Sequence, residues 1–219
     1  TQSSNIKVPS HFTECVHIYS NPTHVSIVQK YKGSTLYDWV KNTPFHERII
    51  KIPSIFQQLI SICQHLETQG IQHTDLKPLN ILYQNDHISI IDYNCISIQI
   101  VKHNQLEWTP NIGTWQYVAP EVIENDTVHS NSVVWSLGML ICCLFEDLPN
   151  SNRYYPLEFT EKRSFWNDFY NDIRVKEAYP CAFKVCHQHI PELWRALLCC
   201  LFRWTPSDRM SLTNLGEYI

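Results

Sequence analysis

The sequence predicts an α+β fold, a small β portion followed by a mostly helical body. Three observations carry this. Two pairs of short apolar runs flank turn residues in the first half of the chain. One long segment repeats apolar residues at steps of three and four. Beyond about Ser130 every strong apolar pattern has the helical period.

The first pair of runs is Cys15–Tyr19 and Val25–Val28, with Asn21-Pro22-Thr23 between them, which reads as a hairpin. A short polar helix is expected over Ser34–Asn42. In the following segment Ile52, Ile55, Phe56, Leu59, Ile60, Cys63 and Leu66 fall on one helical face. Pro53 is placed in its first turn and Gly70 at its C-terminal cap. Ile81–Tyr83 and Ile88–Ile91 around Asn85-Asp86 form the second hairpin signal. A helix through Val133, Val134, Leu137, Leu140, Ile141 and Leu144 is expected to be capped by Ser130 or Asn131. Another follows Pro191 with Leu193, Leu197, Cys200 and Leu201, and a less regular pattern runs over Phe165–Val175.

Composition narrows the classes. Of 219 residues 44% are hydrophobic and 17% charged, which suits a packed core and not a disordered chain. A net charge of −4 argues against nucleic acid as a partner. The longest apolar stretch, Val133–Phe145, is 13 residues and contains Ser136 and Gly138. A bilayer needs about 20, so no membrane is expected. Thr1–Ser10 has no apolar leader core. The nine cysteines form no regular framework and two pairs are adjacent, Cys142–Cys143 and Cys199–Cys200. They read as reduced, buried thiols of an intracellular protein, cytoplasmic or nuclear.

The chemistry concentrates in His73-Thr74-Asp75-Leu76-Lys77-Pro78-Leu79-Asn80, which puts a carboxylate, an amine and a carboxamide in one loop. A second carboxylate, Asp92, follows the strand Ile88–Ile91. The hairpin between them can return both acids to one edge, facing a common pocket. Two acids, an amide oxygen and a lysine suit phosphoryl transfer to a hydroxyl. One acid accepts the proton, hard oxygens hold Mg²⁺, and the amine neutralises the moving phosphoryl group. A polar turn with Asp75 and Asn80 only capping backbone is the plainer alternative for any one of these residues. Their joint spacing, H-x-D-L-x-x-x-N, is similar to that of the protein-kinase catalytic loop, and that resemblance favours catalysis.

At this point the sequence resembles the C-terminal lobe of a eukaryotic-type protein kinase. His73-Thr74-Asp75 stands at the catalytic-loop triplet and Asp92-Tyr93-Asn94 where Asp-Phe-Gly is expected. Gly113-Thr114-Trp115-Gln116-Tyr117-Val118-Ala119-Pro120-Glu121 looks like the end of an activation segment. Trp135-Ser136-Leu137-Gly138 fits the central helix, and Arg209 sits where the family pairs an arginine with the Glu121 position. Ile27-Val28-Gln29-Lys30-Tyr31 looks like the last N-lobe strand running into the hinge, with Gln29 near the gatekeeper position.

The resemblance implies a protein-kinase-like fold, a mainly α-helical C-lobe with short β-hairpins and the N-lobe largely absent. Residues 1–32 would be the end of an N-lobe and hinge, and residues 33–219 the C-lobe. Asp75 would be the catalytic base, with Lys77 on the γ-phosphate, as in the Ser/Thr class. Thr114 would support Asp75 and help form the substrate hydroxyl site. Asn80 and Asp92 would bind Mg²⁺ bridging the ATP phosphates, and backbone groups of Lys30, Tyr31 and Lys32 would hold the adenine. The partners implied are ATP and a protein substrate. His73 would pack inside and brace the loop.

Several positions depart from the family pattern. Thr74 replaces the arginine that receives an activation-loop phosphate, so phosphate-driven ordering is not expected. Val133 stands where many kinases have an Asp that steadies the catalytic loop. Asn94 replaces a glycine, and Asn tolerates left-handed backbone. No G-x-G-x-x-G loop and no V-A-I-K-type lysine occur in the 219 residues, and the chain does not begin with Met, so a fragment of a longer kinase is expected.

The favoured reading is therefore a Ser/Thr protein kinase seen without most of its N-lobe. A pseudokinase or scaffold is the competing reading, on Thr74, Val133, Asn94 and the absent lysine. A kinase-fold small-molecule phosphotransferase ranks third, because Gly113–Glu121 looks like a protein-substrate platform. Phe165, Trp166, Phe169 and Tyr170 cluster as a protein-partner site, against a surface-covering helix as the simpler reading. Cys181-x4-Cys186-His187-x-His189 lacks a C-x2-C element and reads as a structural loop, not a zinc site.

Overall fold

In a computed structural model of the protein, residues 11–103, 105–114, 117–145 and 190–218 are described. The expected helix over Phe165–Val175, the aromatic cluster within it and the Cys181–His189 stretch lie outside them, as do Trp115 and Gln116.

The first hairpin forms as expected, with β1 (Cys15–Ser20) antiparallel to β2 (Val25–Gln29) and Ile18 opposite Ile27. Its tip is set by the Asn21 carboxamide, whose Oδ1 accepts the backbone N–H groups of Thr23 (2.9 Å) and His24 (2.8 Å). Val16, Ile18, Val25 and Ile27 are exposed on this ribbon. The short strand β3 (Ser34–Thr35) leads into helix α1 (Leu36–Asn42), where Thr35 caps Asp38 N at 3.1 Å.

Helix α2 (Phe45–Thr68) corrects one expectation. It starts well before Ile52, so Pro53 lies inside it and not in its first turn. Pro53 faces solvent, where the bond lost to its missing N–H is least costly. The N-terminal extension is held by Arg48, which is 1% exposed and donates to Thr43 O (3.0 Å) and Leu144 O (2.8 Å). The helix stops at Gly70, whose φ of +66° is the left-handed conformation glycine adopts freely. Every residue of the expected apolar face is buried.

Strand β4 (Ile71–His73) then enters the polar loop, which closes in a 3₁₀ turn at Pro78–Asn80. The second hairpin, β5 (Ile81–Gln84) with β6 (His87–Ile90), turns at Asn85 and Asp86. Both have positive φ, 52° and 62°, the primed geometry that matches strand twist. β3 adds to β5 to make a three-stranded sheet.

A third ribbon was not expected. β7 (Ile96–Lys102) pairs with β4 on one edge and with β8 (Gln105–Trp108) on the other. The alternation of Ile96, Ile98 and Ile100 with Ser97 and Gln99 is a period-two signal.

Helix α3 (Pro120–Asn125) precedes α4 (Ser132–Phe145), which is buried along its whole length and crosses α2. An all-apolar helix of this kind belongs in a core. Neither expected cap acts on α4 with its side chain. Asn131 donates to Pro206 O (3.2 Å), and Ser130 Oγ accepts from Trp108 (3.3 Å). Helices α5 (Glu192–Leu201) and α6 (Leu212–Tyr218) complete the described body, with Phe202 edge-on to Trp135 at 4.9 Å. No helix among the described residues is long and apolar enough to cross a membrane. The seven described cysteines are all free thiols. Cys63, Cys142 and Cys143 are buried as expected, but Cys15 is exposed, and Cys95, Cys199 and Cys200 are only half-buried.

Candidate active site

The polar loop is stitched to the segment around Asp92 at both ends. Thr74 N donates to Cys95 O (3.1 Å), and Ile91 N donates to Asn80 O (3.0 Å). Asp92 lies between these two bonds and so beside the loop. It is exposed and holds φ at +63°, a conformation that is uncommon for a non-glycine residue and that persists only where its surroundings enforce it. The left-handed residue of this turn is thus Asp92 and not Asn94.

Asp75 is held from three sides. Its Oδ1 accepts the Thr114 N–H at 2.8 Å. Its Oδ2 takes the Lys77 ammonium at 2.8 Å and the Asn80 amide at 2.9 Å. Lys77 also donates to Thr114 Oγ1 (2.8 Å), and Asn80 Nδ2 also reaches Asp75 O (2.9 Å). Burial alone would raise the Asp75 carboxyl, but the bonds from Lys77 and Thr114 outweigh it and hold the carboxyl below its ordinary value. A carboxylate kept ionised and aimed is what orienting a hydroxyl requires.

His73 braces this arrangement from beneath. It is 1% exposed, its Nδ1 accepts the Asp75 N–H (3.2 Å), and its Nε2 faces Ile91 O (3.2 Å). That pairing fits the neutral Nε2–H tautomer. Burial lowers its pKa, against opposition from Ile91 O and the two aspartates. Tyr93 packs its ring against His73 at 5.4 Å, and its hydroxyl donates to Ile90 O at 3.2 Å.

Sequence reasoning missed the role of Gly113. A Cβ there would lie 2.1 Å from Thr74 O and 2.9 Å from Asp75 Cα, so the two backbones touch directly. In the sequence Gly113 is marked only as the first residue of the Gly113–Glu121 motif.

The segment that carries Thr114 is pinned to the core. Ser136 Oγ donates to Tyr117 O (2.7 Å), and Glu121 forms a buried two-pronged pair with Arg209 (2.7 and 2.5 Å). The Glu121–Arg209 partnership is the one expected. Among the described residues Thr74 Oγ1 is buried with no hydrogen-bond partner. Val133 lines a cavity of about 10 Å³ beside it.

Lys30, Tyr31 and Lys32 follow β2, away from this cluster in sequence. Lys30 N donates to Glu14 O (2.9 Å), and Tyr31 is 75% exposed. The structure thus groups Asp75, Lys77, Asn80, Thr114 and Asp92, and leaves Lys30 and Tyr31 exposed and Lys32 half-buried on the stretch after β2.

Comparison with known proteins points the same way. The model of the protein kinase domain matches residues 4–218. A probable serine/threonine-protein kinase of Dictyostelium discoideum is 28% identical over 138 residues, 56% of this chain and 20% of that protein. The serine/threonine-protein kinase cds1 of Schizosaccharomyces pombe is 32% identical over 137 residues, 58% of this chain and 29% of its own. The human 3-phosphoinositide-dependent protein kinase 1 is 36% identical over 93 residues, 42% of this chain and 17% of its own. The chain spans less than a third of each of these relatives. Because the family match runs almost end to end and the loop geometry agrees with it, the chain belongs to the protein kinase domain family.

Proposed function

We propose that this chain is the catalytic-loop portion of a protein serine/threonine kinase, transferring phosphate from ATP to hydroxyls of a protein substrate. The observation that carries the reading is the Asp75 carboxylate fixed by Lys77, Asn80 and the Thr114 N–H at 2.8–2.9 Å. Asp75 accepts the hydroxyl proton, and Lys77, within reach of both Asp75 and Thr114, neutralises charge on the transferred group. Thr114 supports Asp75 at the hydroxyl site.

The donor set fits Mg²⁺. With Asn80 Nδ2 turned to Asp75, its Oδ1 is left as an oxygen ligand, and Asp92 presents an exposed carboxylate beside it. Two protein oxygens suit a cation that keeps waters and substrate phosphates as its other ligands. Mg²⁺, when bound, would neutralise phosphate charge. On this reading residues 1–32 close an N-lobe and hinge, residues 33–219 form the C-lobe, and the Lys30 carbonyl with the backbone of Tyr31 and Lys32 meets the adenine.

The test is phosphate transfer from ATP·Mg to Ser/Thr peptides by the full-length protein. An Asp75→Ala variant should remain folded and lose transfer. Transfer retained in that variant removes Asp75 as the base. A scaffold without catalysis is the second reading, favoured by Thr74 in the arginine position of the loop, with its hydroxyl unpartnered among the described residues. It predicts no thermal shift with nucleotide and Mg²⁺ and no transfer.

A further inference from the structure

The turn before α4 is a junction. Arg209 Nη1 reaches Asn131 O (3.3 Å), and Ser132 Oγ donates to Glu121 Oε1 (2.6 Å). Trp108, at the end of the β7–β8 ribbon, donates its indole N–H to Ser130 Oγ (3.3 Å). The fourth connection comes from the catalytic strand. Gln72 is 5% exposed, and its Nε2 donates to His129 O (3.2 Å) and Ser130 O (3.3 Å).

We propose that Gln72 is a positioning residue, the tie that holds β4, and through it Asp75, on the turn His129–Ser132. It acts through its neighbours and does not touch the reacting groups. The other polar side chains of this stretch are directed elsewhere. His73 faces Ile91 O, Lys77 bonds Thr114 and Asp75, Asn80 bonds Asp75, and Thr74 Oγ1 has no partner. Val133 presents only methyl groups to the cavity that separates the loop from α4. Gln72 therefore supplies the directional contact on this side. A primary amide has two N–H donors, and here each has a carbonyl to meet.

The lever arm is short. Gln72 pairs across the sheet with Ser97, and His73 follows directly, with its ring fixed between Asp75 N and Ile91 O. If β4 lifts from the turn, the His73 brace and the Asp75 backbone lift with it.

The kinetic arm of the test rests on the phosphotransfer reading, and the exchange arm does not. In the full-length protein, Gln72→Met keeps the volume and removes both donors. It should lower kcat roughly ten- to hundredfold, as misplacement of a catalytic group does, with KM for ATP and peptide almost unchanged. Gln72→Glu turns a carboxylate toward two carbonyl oxygens at pH 8, but its neutral form can donate again. Its activity relative to wild type should rise as pH falls from 8 to 6, whereas the Met variant should stay at a constant fraction. Amide hydrogen exchange at residues 73–80 should quicken in the Met variant while exchange in α2 does not. Wild-type kcat with wild-type exchange, or a Glu variant whose relative activity ignores pH, overturns the proposal. So does uniform faster exchange, which marks Gln72 as packing alone. If the wild type transfers no phosphate, the phosphotransfer reading falls, and exchange at residues 73–80 still decides the tie. If the Met variant does not fold, the Glu variant's pH profile decides it.

Discussion

Gly113→Ala should disable phosphate transfer while leaving the protein folded. The added methyl would start 2.1 Å from Thr74 O and 2.9 Å from Asp75 Cα. A Cβ essentially never comes closer than 3.0 Å to another heavy atom, so the two backbones must separate by roughly 1 Å. Both atoms it meets are main chain, and no rotamer change relieves the clash. The next residue, Thr114, gives the N–H that holds Asp75 Oδ1 at 2.8 Å. Separation at Gly113 therefore stretches the bond that aims the base. Overpacking of this kind costs about 1–3 kcal/mol. For a body of this size that lowers the melting temperature by about 2–4 °C per kcal/mol, so the fold survives. A shift of about 1 Å near the reacting groups costs around a hundredfold in rate. The assay is steady-state transfer to a peptide, with thermal melting run in parallel. A variant that keeps kcat within threefold refutes the steric argument. A variant that loses activity only by unfolding refutes the separation of the two effects.

Two further predictions follow from buried charge. Arg209→Met strands the Glu121 carboxylate in the core, with the Ser132 hydroxyl still donating to it. It should cost about 3–5 kcal/mol in urea unfolding, and Arg209→Met combined with Glu121→Met should recover much of that loss. A double variant no better than the single would show that the stranded charge is not the cause. The second concerns pH. Burial lowers the His73 pKa, so between its unfolded value near 6.5 and its lower folded value the unfolded chain binds more protons. Stability should be full above about pH 6.5 and decline as pH drops toward the folded value. His11, also lowered by burial, adds in the same direction. The Asp75 contribution, whose carboxyl is held down, is lost only below about pH 4. Melting temperature against pH for wild type and His73→Gln checks this, and an equal slope in both rules His73 out.

What the sequence made legible was local. Asn85-Asp86 predicts a turn because both residues tolerate positive φ, and the chain turns there. The α2 seam is readable because burial repeats with the helix period. The loop from His73 to Asn80 is readable because its chemistry is packed into eight consecutive residues. What was missed depends on partners distant in sequence. Pro53 looks like a helix start until Arg48 is seen reaching Leu144 O, a bond across 96 positions. The β7–β8 ribbon is mostly exposed, so the Ile96–Ile100 alternation marks no buried face, and its place in the fold depends on pairing with β4, distant in sequence. Gln72 looks like an ordinary polar strand residue, and the carbonyls it serves are 57 and 58 positions away.

The ribbon bears on how the segment before Gly113 is ordered. Thr109 Oγ1 accepts from Ile98 N (2.9 Å), Asn111 Nδ2 donates to Ile96 O (2.8 Å), and Thr109 N donates to Ile98 O (2.9 Å). Each of these bonds ties the path toward Thr114 back onto β7, and β7 is itself paired to the catalytic strand. None of them involves a charged group, so ordering here is a matter of backbone pairing and neutral side chains. Salt therefore has little to screen at this point. The contrast with Asp75 is direct, because there a carboxylate is held by an ammonium. Asp75 and Lys77 are nevertheless largely buried, so ionic strength should act first on the exposed Lys102–Glu107 pair across the ribbon (3.4 Å), and hardly at all on the base, its lysine or the three neutral bonds.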